Sequence, residues 1–221
     1  MPFEYIFPDP ENADSDGLLA VGGDLSIESL LTAYAKGIFP WYDQHTPILW
    51  WSPDPRLVLF PDKFRPSKSL LQKIRSGYYQ VDCDTRFEQV ITCCAEVKRK
   101  VQEGTWITPE MKSAYINMHQ QGYAHSFETY YGKAMVGGLY GVSLGRAFFG
   151  ESMFYQKPDA SKVALFYLVR WLKSHGFSFI DAQQSTLHLK SMGAEEIPRK
   201  QFMQILAEAL KQPTIKGKWR L

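Results

Sequence analysis

From about residue 63 onward, apolar positions fall into regular periods, and each period predicts an element. Tyr79–Cys83 alternates like a strand. Thr85 followed by Glu88 has capping-box spacing, ahead of a helix with Phe87, Val90, Ile91 and Cys94 on one face. Thr108-Pro109 opens a second helix, with Met111, Ala114, Tyr115 and Met118 inward and Gly122 as its stop. Three strand-like runs follow, Ala124–Tyr131, Met135–Val142 and Arg146–Tyr155. The short turns at Gly132-Lys133 and Ser143–Gly145 make them antiparallel hairpins. Asp159 is placed as the cap of a helix whose stripe is Ala160, Val163, Ala164, Tyr167, Leu168, Trp171 and Leu172, ended by His175-Gly176. Phe177–Gln183 is the next strand, and a last helix runs from about Arg199 to Lys211.

Residues 1–62 have another texture. They are rich in Pro, Gly and Trp, with one clear helix: Ser26 as N-cap, Leu30, Leu31 and Tyr34 as its stripe, Gly37 as its end. Loops punctuated this way cannot form long ladders, so they predict a small N-terminal domain folded onto a larger one at 63–221. Trp50 and Trp51 are expected to glue the two together.

Composition narrows the class. The chain has 221 residues, 45% hydrophobic and 14% aromatic, enough to bury a substantial core. A formal net charge of +2 gives no molecule-wide basic field, so any nucleic-acid surface must be local. The three cysteines, two of them adjacent (Cys93, Cys94), suit neither a disulfide framework nor a metal site, and no metal is expected. Neither a signal peptide nor a membrane-spanning run is legible, which points to a cytoplasmic protein with no membrane partner.

Candidate chemistry begins with two lone carboxylates, Glu151 and Asp181, in apolar strands on either side of the Ala160 helix. A carboxylate in such a strand must be paired, hydrogen-bonded or protonated. The element order resembles the GNAT-like acyltransferase fold, an α/β (α+β) domain with a mostly antiparallel central sheet. In that fold two adjacent strands splay and acyl transfer occurs in the wedge. By analogy the wedge lies between the Glu151 and Asp181 strands. Users of acetyl-CoA in this fold carry a glycine-rich, phosphate-cradling loop before the helix. Here that loop is Gln156-Lys157-Pro158-Asp159-Ala160-Ser161, with no glycine and an acidic residue, which disfavours acetyl-CoA.

A longer set of motifs carries a more specific resemblance: Leu18-Leu-Ala-Val-Gly-Gly-Asp-Leu-Ser26, Gly37-Ile-Phe-Pro-Trp41, Pro47-Ile-Leu-Trp-Trp-Ser-Pro-Asp-Pro-Arg56, Gly104-Thr-Trp-Ile-Thr108, His125-Ser126, Val136-Gly-Gly-Leu-Tyr-Gly141, Gly150-Glu-Ser-Met-Phe154, Ala160-Ser-Lys162 and Ile180-Asp-Ala-Gln183. In order and spacing, over roughly residues 3–206, the chain resembles the leucyl/phenylalanyl-tRNA–protein transferase family. The resemblance implies transfer of Leu or Phe, less often Met, from Leu-tRNA or Phe-tRNA to the α-amino group of proteins beginning with Arg or Lys. That reaction marks them for N-degron-dependent degradation. The enzyme is then expected to act as a monomer with no cofactor.

The same resemblance assigns residues. Asp181 and Gln183 match catalytic positions; Asp181 would orient the amine and take its proton, and strand alternation puts Gln183 on the same face. Glu151 matches an active-site Glu that would also attract the acceptor's Arg or Lys; a structural ion pair is the alternative. Leu139, Phe148, Leu165, Leu168, Leu172 and Ile180 match the aminoacyl side-chain pocket, although their spacing also fits plain core. Trp41 and Trp106, with Tyr34 and Tyr115 at the same mouth, match the site of the tRNA 3′ adenosine. Lys63, Arg65, Lys68, Lys73 and Arg75, or else Lys98–Lys100, are candidates for tRNA phosphates, as is, more weakly, the tail Lys211–Arg220; solvated helix ends would explain them equally. Two rival classes remain open on the residues alone, an acetyltransferase and a non-catalytic peptide- or RNA-binding module.

Overall fold

The computed structural model describes residues 6–97 and 105–221, so the Lys98–Lys100 candidates lie outside the described residues. The N-terminal part holds β1 (Leu18–Val21), α1 (Ile27–Ala35), β2 (Phe39–Pro40) and β3 (Leu49–Trp51). Its three short strands form an antiparallel sheet in the order β1-β3-β2. Ser26 caps α1 as expected, its Oγ accepting from Ser29 N at 3.2 Å. Trp50 is fully buried, its indole N–H donating to Gly22 O at 2.8 Å and its ring meeting the edge of Phe7.

The larger part continues with β4 (Arg56–Leu59), α2 (Lys68–Arg75), β5 (Gln80–Cys83), α3 (Phe87–Glu96), α4 (Pro109–Gln120), β6 (Ala124–Tyr131), β7 (Ala134–Leu144) and β8 (Ala147–Tyr155). After these come α5 (Ala160–Ser174), β9 (Phe179–Gln183), α6 (Leu187–Ser191), β10 (Glu195–Ile197) and α7 (Arg199–Leu210). Seven strands make one sheet in the order β10-β4-β9-β8-β7-β6-β5. Its neighbours are antiparallel except β8 and β9, which run parallel as a strand–helix–strand unit requires. The mixed α/β fold with a mostly antiparallel sheet is the expected one. The sheet nevertheless begins before residue 63: β4 lies between β9 and β10, so the expected boundary falls after a strand of the larger sheet has been laid down.

The core lies on both faces of that sheet. On one face α5, through Leu165, Leu168 and Leu172, packs with Leu139 and Phe148. It comes so close that a Cβ on Gly137 would sit 2.5 Å from Ala160 Cβ, which explains a glycine there. On the other face α3, α4, α7 and the N-terminal part share one continuous cluster.

Two expected caps form differently. Thr85 and Glu88 make no capping box, because Thr85 Oγ1 donates instead to Glu128 Oε2 at 2.9 Å, and that buried carboxylate also accepts from Thr85 N and Arg86 N. Asp159 makes no side-chain cap either. With a left-handed φ of 70°, its carboxylate turns to Lys73 at 2.6 Å and Lys162 at 3.0 Å, and those bonds lower its pKa.

Candidate active site

Residue pairing between β8 and β9 ends at Phe149↔Asp181, and beyond it the strands part. Both strands are irregular at this point. Tyr140 pairs with Ser152 and Gly141 with Gly150, so Glu151 is an extra residue bulged out of β8. Val58 pairs with Asp181 and Leu57 with Gln183, so Ala182 is an extra residue in β9, and Gln183 follows with a left-handed φ of 62°. Bulges re-aim side chains, and these two aim Glu151 and Gln183 at each other: Gln183 Nε2 donates to Glu151 Oε1 at 2.9 Å.

The opening holds a cavity of about 450 Å³. One side is apolar, from Leu139, Phe148, Leu165, Leu168 and Ile180, joined by Met153. The N-terminal part supplies Phe39, Pro40 and Trp41, and Trp106 completes the wall. At the polar end lie Glu151, Ser152, Gln183 and Gln184, with Thr186 capping α6 and His188 within it. Glu151 is the one carboxylate among the lining residues.

Glu151 is held by three donors. Besides Gln183, Tyr34 Oη donates to Oε1 at 2.8 Å and Tyr115 Oη to Oε2 at 3.0 Å; the two phenol oxygens also touch, a contact that has a proton of its own only when the carboxyl is protonated and donates to one of them. Burial pushes the Glu151 carboxyl up to about 7, against these three bonds, with nearby Asp181 adding to the rise. Burial and the Glu151 charge hold both phenols well above the usual tyrosine range. The group is a carboxyl that is half ionised near neutral pH and faces a cavity.

The structure places four sets of these residues differently from expectation. Asp181 does not line the cavity. It is fully buried and forms a two-pronged ion pair with Arg56, Nε to Oδ1 at 2.8 Å and Nη2 to Oδ2 at 2.7 Å. Arg56 lies between the rings of Phe39 and Phe202, 4.8 and 4.6 Å from their centroids. Asp181 Oδ1 also accepts from Gln183 N at 2.9 Å, so it positions Gln183 from behind. Plain alternation put Asp181 and Gln183 on one face, and the Ala182 bulge overturns that. Leu172 is fully buried beside α5's other core residues and does not reach the cavity. Tyr34 and Tyr115, expected at the mouth, are completely buried behind Glu151. Lys73 is bound to Asp159 and the exposed Lys63 to Glu195, while Arg65, Lys68 and Arg75 are also exposed around α2.

The sequence reading missed Arg56, Met153 and His188 as neighbours of the site. A signal existed for the first two: Arg56 is a lone cation in an apolar run matching a lone carboxylate, and Met153 lies two residues from Glu151 on its strand.

Residues 58–207 match the family model described as leucyl/phenylalanyl-tRNA protein transferase, and 23–54 match the model of its N-terminal domain. The chain belongs to that family. The leucyl/phenylalanyl-tRNA–protein transferase of Anaeromyxobacter sp. (strain K) is 58% identical over 221 residues, covering 100% of this chain and 95% of that protein. The one from Maridesulfovibrio salexigens is 56% identical over 215 residues, 97% of this chain and 90% of that protein. A crystal structure of an aminoglycoside acetyltransferase from a soil metagenome, bound to sisomicin, has a TM-score of 0.39 and 14% identity over 52% of this chain and 85% of that one. That likeness is too slight to bear on the reaction. Within the family's two models, the first stops at residue 54 and the second starts at 58, close to where β4 joins the larger sheet.

Proposed function

We propose that the chain transfers leucyl or phenylalanyl groups from the 3′ end of Leu-tRNA or Phe-tRNA to the α-amino group of proteins beginning with Arg or Lys, marking them for degradation. The observation that carries this is the cavity between β8 and β9, which joins an apolar slot to a single ionisable carboxyl. The donor's side chain fits the slot of Leu139, Phe148, Met153, Leu165, Leu168 and Ile180, and its terminal adenine fits the indole faces of Trp41 and Trp106.

The chemistry is ester aminolysis. An α-amino group has a pKa of about 8, so Glu151 is close enough in strength to take a proton from the arriving ammonium. The freed amine attacks the ester carbonyl, a C–N bond forms, and the C–O bond to the ribose breaks. The second amine proton leaves with the ribose oxygen as a hydroxyl, and the proton on Glu151 returns to water. Tyr34, Tyr115 and Gln183 fix the carboxyl's orientation, and Asp181 fixes Gln183. The negative charge of Glu151 also suits a cationic acceptor terminus. The exposed Arg65, Lys68 and Arg75 suit tRNA phosphates. Among the described residues no helix is long and apolar enough to cross a membrane, and no group of three His, Cys, Asp or Glu is placed to hold a metal. A monomer in the cytoplasm fits this reading.

An acyl-CoA donor is disfavoured, because Asp159 stands in the loop before α5 where a pyrophosphate would dock, already tied to Lys73 and Lys162. The deciding experiment follows radiolabelled leucine from charged tRNA to a peptide beginning with Arg and to the same peptide with its amine acetylated. Transfer to the free amine alone supports the assignment. Transfer to neither peptide by folded protein overturns it.

A further inference from the structure

The tail beyond α7 does not hang free. Arg146 Nη1 donates to Pro213 O at 2.5 Å, Gly145 N to Thr214 Oγ1 at 2.8 Å, and Gly217 N to Gly122 O at 3.3 Å. Its end is anchored twice more, by Trp219 N to Asp84 Oδ2 at 2.8 Å and by Trp171 Nε1 to Arg220 O at 3.0 Å. Trp219, two residues from the end of the chain, is 2% exposed. Its ring is stacked on His125 at 3.6 Å and on Trp171 at 3.7 Å, with Phe177 edge-on at 5.7 Å.

One more neighbour gives that insertion a consequence. Trp219 also leans on Phe148 at 6.0 Å and 40°. Phe148 lines the cavity and Trp219 does not, so a single ring separates the tail from the donor slot. From another direction Phe148 is confined by Gly141, where an added Cβ would lie 2.5 Å from Phe148 Cε1. In a close-packed interior a ring confined in this way has little room to shift, and deleting one wall leaves space that its neighbours only partly refill.

We propose that the C-terminal tail sets the depth of the donor slot, with Trp219 as a positioning residue that braces Phe148 and thereby limits how large an aminoacyl side chain the slot accepts. The inference rests on the assignment of the slot to the donor side chain. Trp219 neither lines the cavity nor contacts the Glu151 cluster. Shrinking it should therefore change which donor is used and leave the acceptor side alone. Slot discrimination of one methylene is worth roughly tenfold or more, so a retreat of Phe148 by a fraction of its width is measurable as a ratio.

The test is competition between Leu-tRNA and Phe-tRNA for one Arg-initiated peptide, comparing wild type, Trp219→Phe and Trp219→Leu, with thermal melts to confirm folding. The ratio of phenylalanyl to leucyl transfer should rise about threefold in Trp219→Phe and about tenfold in Trp219→Leu, with the KM for the peptide unchanged. If Trp219→Leu does not fold, the milder Trp219→Phe decides. A folded variant that slows both donors equally, or leaves their ratio at the wild-type value, shows a purely structural tail and overturns the proposal. Failure of the proposed transfer reaction itself is distinguishable, since wild-type protein would then transfer neither amino acid.

Discussion

Glu151 gathers more partners than its place in an apolar strand would allow without irregular backbone. It is bulged out of β8, receives three hydrogen bonds and keeps a face on the cavity. Its raised pKa makes a kinetic prediction: single-turnover transfer should climb with pH to a bend near 7, and Glu151→Gln should lose at least about a hundredfold in rate together with the bend. The same shift bears on stability. Between its ordinary value of 4.5 and about 7 the native state keeps a proton that the unfolded chain has released. Stability from this group therefore falls as pH rises across that window, by on the order of 2 kcal/mol allowing for cavity water. Glu151→Gln should remove that decline, leaving the variant more stable than wild type at pH 8 in a denaturant titration. Asp181 behaves differently. Asp181→Ala leaves Arg56 buried and unpaired and should cost about 3–5 kcal/mol of unfolding free energy. Asp181→Asn should slow transfer yet keep a bend, moved somewhat below 7 because the Asp181 charge no longer raises Glu151; a bend that vanished would return the proton-accepting role to Asp181.

At the scale of elements, much was legible and the remainder had a common cause. The unbroken stripe of α5, the β6–β7–β8 hairpins and the Ser26 and Thr108 caps follow from periodicity and local hydrogen bonding, which act within a few residues. The two failed caps and the placement of Asp181 depended on partners far along the chain: Glu128 for Thr85, Lys73 for Asp159, Arg56 for Asp181. The bulges at Glu151 and Ala182 each break a period of two by a single residue, a change that alternation cannot express. The small strands β1–β3 and β10 are too short to show a period at all. For the cavity, Leu139, Phe148, Leu165, Leu168, Ile180, Trp41 and Trp106 all reach it, whereas Leu172, Tyr34 and Tyr115 stop behind its wall. Helix α2 adds a prediction of its own. Lys68 is exposed at its first turn, so Lys68→Glu should weaken binding of different tRNA bodies alike and flatten the salt dependence of binding; an unchanged slope would remove α2 from the interface.

Across the whole molecule, the cavity is built by two parts of the chain. The apolar slot comes from β7, β8, α5 and β9, while Phe39, Pro40 and Trp41 close it from the N-terminal part. Those parts are joined by Arg56, which leaves the Pro-rich segment, enters β4, pairs with Asp181 of β9 and stacks on Phe39 of β2. Arg56 thereby links the N-terminal part, through Asp181, to the backbone N–H of Gln183. On the proposed roles, this division of the cavity wall also makes the enzyme modular. Exchanging residues up to Asp54 with those of a relative, while keeping Arg56 onward, should alter affinity for the terminal nucleotide and leave the ratio of leucyl to phenylalanyl transfer intact. The chimera would inherit its grip on the carrier from one parent and its taste in cargo from the other.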